Sequence, residues 1–110
     1  MIDIHGTGSY RKFDLYPGIG RNDEFINGHS FFISELERVL FNNSIRLGGR
    51  NVFPAYRQHT VSRFVNSGLG IPAMQIEINQ RYRNPISDKI LFEKLIHSLA
   101  GYIGNISKLI

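Results

Sequence analysis

The chain has 110 residues, of which 42% are hydrophobic and 12% aromatic, values typical of one small folded domain. It contains no cysteine, so disulfides and thiolate metal sites are excluded, and any metal ion must be held by His, Asp or Glu. No apolar run approaches the roughly 20 residues of a membrane span, and no basic segment followed by an apolar one marks a secretion signal. The sequence therefore predicts a cytoplasmic protein that does not contact a membrane.

The chain is basic, with a formal net charge of +4, and nine of its 13 cationic residues are arginines. Arginine is better suited than lysine to bidentate recognition of a carboxylate or a phosphate. These arginines are spread along the chain rather than clustered in one run, which weakens a nucleic-acid interpretation and favours an anionic small ligand.

The first half of the chain predicts two short extended segments and a helix. Residues 1–5 alternate apolar and polar side chains, which is typical of a half-buried strand, and residues 11–16 show a shorter alternation. Apolar residues then recur at helical spacing over residues 32–40. Ser30 is a candidate N-cap for this helix, and Asn42 lies at its expected end.

The middle of the chain predicts a strand and a short helix. Residues 51–53 form the candidate strand, and residues 60–66 the candidate helix. We expect Val61 and Phe64 to face the core, and Gly68 to follow the end of the helix.

A last helix begins near Asp88 and carries a wide apolar face. We expect it to end near Tyr102, because Gly101 and Gly104 weaken a helix at that point. Strands and helices thus alternate along the chain. This order predicts a single α/β domain, residues 1–110, with a mainly parallel sheet flanked by helices.

The main functional signal is an acidic residue inside a predicted strand, residues 73–79. Apolar and polar side chains alternate over this stretch, and Glu77 lies on the polar side. Between Ser44 and Arg83 the chain carries six arginines and this single acid. A carboxylate in an apolar strand needs a nearby cation or metal ion to offset its lost hydration. We interpret Glu77 as a catalytic base, and a structural ion pair is the alternative.

Other candidate site residues lie on neighbouring elements. Functional groups gather at the carboxyl ends of parallel strands, and both His5 and Glu77 lie toward such ends. His5 is a candidate metal ligand, and Asp3, two residues earlier on the same face, would orient its imidazole. The ordinary alternatives are a hydrogen-bonded turn histidine and a solvent-facing carboxylate. Arg63, on the short predicted helix, is either a surface cation or a clamp for a carboxylate.

Three pieces of the sequence occur in an order and spacing that indicate a family. They are residues 3–6 (Asp-Ile-His-Gly), residues 11–15 (Arg-Lys-Phe-Asp-Leu) followed by Gly18 and Gly20, and residues 75–79 (Gln-Ile-Glu-Ile-Asn) followed by Arg81 and Tyr82. Together they resemble the N-formylglutamate amidohydrolase family, over residues 2 to about 85. The resemblance implies a zinc-carboxypeptidase-like fold, in which helices flank a mixed, mainly parallel sheet.

The resemblance also implies a hydrolase that cleaves an amide next to a carboxylate-bearing group and uses one zinc ion. By this resemblance His5 matches the last of three protein ligands, and Glu77 matches the glutamate that activates the metal-bound water. Arg63 or Arg11 would hold the substrate carboxylate through a bidentate contact.

The chain departs from the family in its zinc ligands. The family's first two ligands, a His and a nearby Glu, precede the strand that corresponds to residues 1–5, and no His-x-x-Glu spacing occurs in this sequence. We therefore expect the chain to be the C-terminal part of such a catalytic domain and inactive, or nearly so, alone. We also expect a partner chain or self-association to supply the missing half, because an open sheet edge would expose apolar area.

Two other functions remain open on sequence grounds. One is a non-catalytic domain that binds an anionic ligand through its arginines and needs no metal ion. The other is an Arg-rich nucleic-acid-binding module, which would show an affinity that falls steeply with salt. The second lacks the basic strand with interleaved aromatic residues expected of single-strand binders.

Overall fold

The computed structural model describes residues 1–49 and 61–109. In chain order the elements are β1 (Ile2–Thr7), β2 (Leu15–Gly18), a 3-10 helix (Arg21–Ile26), α1 (Phe31–Asn42), α2 (Val61–Leu69), β3 (Met74–Asn79), a second 3-10 helix (Gln80–Tyr82) and α3 (Lys89–Ser107). The strand predicted at residues 51–53 lies outside the described residues. Within the described ranges, no helix combines the length and the apolar character that crossing a membrane requires.

The described strands form one sheet in the order β1-β3-β2, so that β3, the last strand in the chain, is central. β1 pairs with β3 in parallel, and β2 pairs with β3 antiparallel. The predicted α/β class is confirmed, and the sheet is a mixed one with one pairing of each kind. The connection between β1 and β2 accounts for this, because residues 8–14 reverse the chain direction before β3 enters between the two strands.

One face of the sheet forms the hydrophobic core together with α1 and α3. β3 contributes Met74, Ile76 and Ile78, which is the apolar face predicted from the alternation of residues 73–79. The helices add buried apolar residues that recur on one side of each: Ile33, Leu36, Val39 and Leu40 from α1, and Leu95, Tyr102 and Ile106 from α3. Burying an aliphatic side chain of this size contributes roughly 1.5–3 kcal/mol.

The opposite face of β3 is more buried than the alternation predicts. Gln75 and Asn79 are only 2% and 0% exposed, and Glu77 is the half-buried residue of the strand. Asn79 tolerates burial because its Nδ2 donates to the backbone carbonyls of Arg11 and Phe13, at 3.3 and 3.2 Å. The segment that leads into β2 is thereby held over the end of the central strand.

β2 begins later than the extended segment predicted at residues 11–16. It starts at Leu15 and continues through Pro17, which an outer strand tolerates because not every backbone N–H is needed for pairing. Just before it, the Asp14 N–H donates to the Arg46 carbonyl at 2.8 Å. The residues before Leu15 are therefore not part of the strand, and this hydrogen bond joins the segment after α1 to the start of β2.

α1 and α3 begin where the sequence predicts, but α3 ends later. Asp88 caps α3 by accepting a backbone N–H at 3.3 Å. The helix continues to Ser107, so the predicted end near Tyr102 is wrong. Tyr102 is 1% exposed and its hydroxyl donates to an α1 carbonyl at 2.7 Å. Packing against α1 therefore outweighs the poor helix propensity of Gly101 and Gly104.

α2 forms as predicted, but its orientation differs from the prediction. Val61 and Phe64, expected to face the core, are 55% and 72% exposed, whereas Ser62 is fully buried. The helix includes Gly68 and is followed by Gly70, whose φ of 67° lies in the left-handed region. A helix of nine residues has too few apolar positions for its sequence alone to determine which side is covered.

Candidate active site

Three side chains lie in one row across the sheet. His5 on β1 is the parallel register partner of Glu77 on β3, and Tyr16 on β2 is the antiparallel partner of the same Glu77. Register partners on adjacent strands, about 4.8 Å apart, project their side chains from the same face of a sheet. The two residues proposed from the sequence as ligand and base are therefore neighbours, in the second half of each strand.

The imidazole of His5 is held by a carboxylate on its own strand. Its Nε2 lies 2.7 Å from Asp3 Oδ2, and the two residues project from the same face because they are two apart. In the neutral imidazole, hydrogen bonding to a carboxylate places the proton on Nε2 and leaves the lone pair on Nδ1. The His5 side chain is 47% exposed, so the imidazole lies on an open part of the sheet.

Arg11 connects all three strands on this face. Its Nε donates to Thr7 Oγ1 on β1 at 3.3 Å, and its Cζ lies 5.0 Å from the ring centroid of Tyr16 on β2. Its Nη2 lies 3.8 Å from Glu77 Oε2 on β3, which is a long ion pair. The guanidinium is therefore positioned by its other two contacts, and its pairing with Glu77 is loose enough to admit another anion.

A zinc ion at this site would need further ligands. Protein zinc sites use three or four side chains, and His5 Nδ1 supplies one suitable atom. Asp3 is engaged with the imidazole, and Glu77 is paired with Arg11. Among residues 1–49 and 61–109, no group of three or more His, Asp or Glu side chains is arranged to hold a metal ion. The described residues thus do not fit a complete zinc site, although His5 fits one position of it.

Arg63, the other candidate carboxylate clamp, lies on a different element. It is an exposed residue of α2, whereas Arg11 contacts Glu77 and Tyr16 of the row described above. The structure therefore brings Asp3, His5, Glu77 and Arg11 onto one face of the sheet and leaves Arg63 on a helix.

A second polar cluster was not predicted from the sequence. We call it the Asp14 cluster, and it consists of Asp14, Arg46, Arg81 and Tyr82. The Asp14 carboxylate is 4% exposed and accepts from Arg46 N–H at 2.8 Å, from Arg81 Nη2 at 2.9 Å and from the Tyr82 hydroxyl at 3.3 Å. Arg46 Nη2 adds a contact at 3.3 Å. A buried carboxylate with this many donors is a structural centre.

The cluster alters the protonation equilibria of its members. Burial raises the pKa of Tyr82, and the negative charge of Asp14 raises it further. The hydrogen bond to Asp14 raises the pKa of Arg46. Both shifts oppose loss of a proton at alkaline pH.

Asn79 links the Asp14 cluster to the row that contains Glu77. Its Oδ1 accepts from Arg81 N–H at 3.1 Å, while its Nδ2 binds the backbone of Arg11 and Phe13. Residues 11–15 and 75–82, two of the pieces that carry the family resemblance, are therefore in direct contact. Their separation of 67 positions, between Asp14 and Arg81, explains why no local spacing could pair them.

In comparisons with known proteins, no family model, no curated protein and no solved structure matches the chain.

Proposed function

We propose that this chain contributes catalytic groups to a metal-dependent amidohydrolase of the N-formylglutamate amidohydrolase type. The substrate would be an amide of an acidic, amino-acid-like compound. The observation that carries the proposal is the register of β1 and β3, in which His5 is directly opposite Glu77. The parallel pairing of these two strands also supports the finer fold proposal, a zinc-carboxypeptidase-like domain of which this chain is a part.

Glu77 is the proposed base. Its half-buried carboxylate would accept a proton from the attacking water and return it to the amine nitrogen as the C–N bond breaks. Asp3 would keep the His5 imidazole in one orientation and one tautomer, with Nδ1 available as a ligand atom.

Arg11 is the better candidate of the two arginines for the substrate carboxylate. Its side chain is 31% exposed, and its guanidinium is restrained by Thr7 and Tyr16 and lies on the same face as Glu77. A planar guanidinium binds a carboxylate through two parallel hydrogen bonds, which would orient the scissile amide relative to the base. Arg63, an exposed residue of α2, remains the alternative proposal for this role.

The metal role of His5 is tested by titrating the chain with zinc while the imidazole resonances are followed by NMR. Because His5 offers a single nitrogen, we expect weak binding that perturbs His5 first and is lost in H5A. H97A is the matched control, since His97 is an exposed histidine on α3. If H5A and H97A bind zinc as the original chain does, His5 is not a ligand.

The base role of Glu77 is tested with E77Q and with E93Q as control, because Glu93 is a 63% exposed glutamate on α3. Hydrolysis of N-formyl-L-glutamate should be slow or absent for the chain alone. In any assembly in which zinc-dependent hydrolysis is measured, E77Q should lower kcat by about 10²–10⁴ and E93Q should leave it unchanged. An E77Q protein with full activity would show that another group takes the proton.

Association with a partner chain or with a second copy also stays a prediction. Ile4, on the outer strand β1, is 52% exposed, which supports it. Size-exclusion chromatography with light scattering measures it, and a monomer at all concentrations would contradict it.

A further inference from the structure

A cleft lies beyond the carboxyl ends of β1 and β3, next to the Asp14 cluster. Its volume is about 430 Å³, and its lining includes Arg81, Arg83, Ser9, Asn84 and Ser87. Among the described lining residues there are two arginines and neither Asp nor Glu. Clefts at the carboxyl ends of parallel strands are the usual ligand sites of α/β proteins.

Arg81 is held rigidly at one side of this cleft. Its Nη2 donates to Asp14 Oδ1 at 2.9 Å and its Nε to Asn79 Oδ1 at 3.4 Å, which fixes the plane of the guanidinium. The side chain is nevertheless 43% exposed. Arg81 is therefore oriented before any ligand binds, which lowers the entropic cost of binding.

Arg83 is positioned against the backbone of β1. Its Nη2 donates to the Thr7 carbonyl at 3.0 Å, and its guanidinium lies directly over Gly6. A Cβ at Gly6 would come within 2.6 Å of Arg83 Cζ, so any larger residue would displace the guanidinium. The close approach therefore depends on glycine at this position.

The charges around the cleft do not balance. Arg81 is paired with the buried carboxylate of Asp14, which also accepts from Arg46 outside the cleft, whereas Arg83 donates to a backbone carbonyl. Within the described residues, the lining of the cleft therefore carries an excess of positive charge. A ligand with two negative charges would offset the excess, and guanidinium groups bind phosphate oxygens through paired hydrogen bonds.

We propose that this cleft binds the phosphate group of a small phosphorylated molecule. Arg81 and Arg83 supply the charge, and Ser9, Ser87 and Asn84 supply uncharged polar groups around it. The proposal is independent of the hydrolytic role of Glu77, because none of its groups belongs to the row of His5, Glu77 and Tyr16.

Titration with inorganic phosphate at constant ionic strength tests the proposal. Calorimetry should show saturable binding at a pH where phosphate is doubly charged, and R83Q should weaken it by about tenfold or more. R38Q is the matched control, because it removes one exposed arginine of α1 that pairs with Glu35. Binding in R38Q should stay within about twofold of the original chain.

G6A gives a second variant that leaves both arginines in place. The atoms nearest to the added methyl group belong to the flexible end of Arg83, so the urea midpoint should not change while phosphate binding weakens. Absence of saturable binding, equal loss in R83Q and R38Q, or acetate binding as tightly as phosphate would each overturn the proposal. Sulfate binding near the phosphate value would support it, because sulfate is also a dianion.

Discussion

Asp14, just before β2, and Glu77, on β3, are carboxylates in contrasting surroundings. The Asp14 side chain is 4% exposed and accepts hydrogen bonds from two arginines and a tyrosine. The Glu77 side chain is 15% exposed, and its ion pair within the described residues is the 3.8 Å contact with Arg11. A carboxylate with saturated acceptors stabilises the fold, whereas one with a loose partner can bind and release a proton or a ligand.

Removing the Asp14 carboxylate should cause the largest loss of stability. D14A leaves Arg46, Arg81 and Tyr82 without their common acceptor, and we expect the free energy of unfolding to fall by about 3 kcal/mol. Urea denaturation followed by circular dichroism measures the change.

D3A is the matched control for this substitution, because Asp3 is also an aspartate in a hydrogen-bonded pair, but its side chain is 23% exposed and that of its partner His5 is 47% exposed. We expect it to cost less than about 1 kcal/mol. Equal losses in D14A and D3A would mean that the Asp14 cluster is not a structural centre.

Replacing Tyr82 by phenylalanine should give a smaller, pH-dependent effect. At neutral pH, Y82F loses one hydrogen bond to Asp14 and about 1 kcal/mol of stability. Because the folded-state pKa of Tyr82 is raised above the unfolded value of about 10, its contribution is fully present below that pH and is lost as the pH rises through the folded pKa.

The difference between Y82F and the original chain should therefore shrink when urea midpoints are compared at about pH 7 and about pH 11. Y102F is the control for the pH dependence of Y82F. Burial raises the pKa of Tyr102 as well, but Tyr102 lies outside the Asp14 cluster. A difference that grows with pH would contradict the role of Asp14 in this shift.

The smallest effect is expected for the pair of Arg11 and Glu77. A double-mutant cycle of R11Q and E77Q should give a coupling free energy below about 1 kcal/mol, because the contact is long and partly exposed. A coupling free energy of several kcal/mol would mean that Glu77, like Asp14, mainly stabilises the fold. It would weaken the proposal that Glu77 is a base.

Sequence periodicity was sufficient for the elements whose pattern is long or strict. The alternation of residues 1–5 and 73–79 predicted β1 and β3, and helical spacing predicted α1 and the start of α3. The rule that functional groups gather at strand ends predicted that His5 and Glu77 lie at the same edge of the sheet, and the observed register makes them neighbours.

What the sequence did not predict depends on contacts between distant segments. Asp14 meets Arg81 across 67 positions, and no local pattern encodes that pairing. The burial of Asn79 follows from its bonds to the backbone of residues 11 and 13. The end of α3 was misjudged because its packing against α1 outweighs the local propensity of two glycines.

Replacing those two glycines should make the protein more stable. Gly101 and Gly104 are exposed in α3, and nothing lies within 4 Å of the position that a Cβ would occupy. Alanine at either site would restrict the unfolded chain without steric conflict, and each substitution should raise stability by about 0.5–1 kcal/mol. A G101A/G104A background, checked by its melting temperature, would thus let disruptive substitutions elsewhere be assayed in molecules that stay folded.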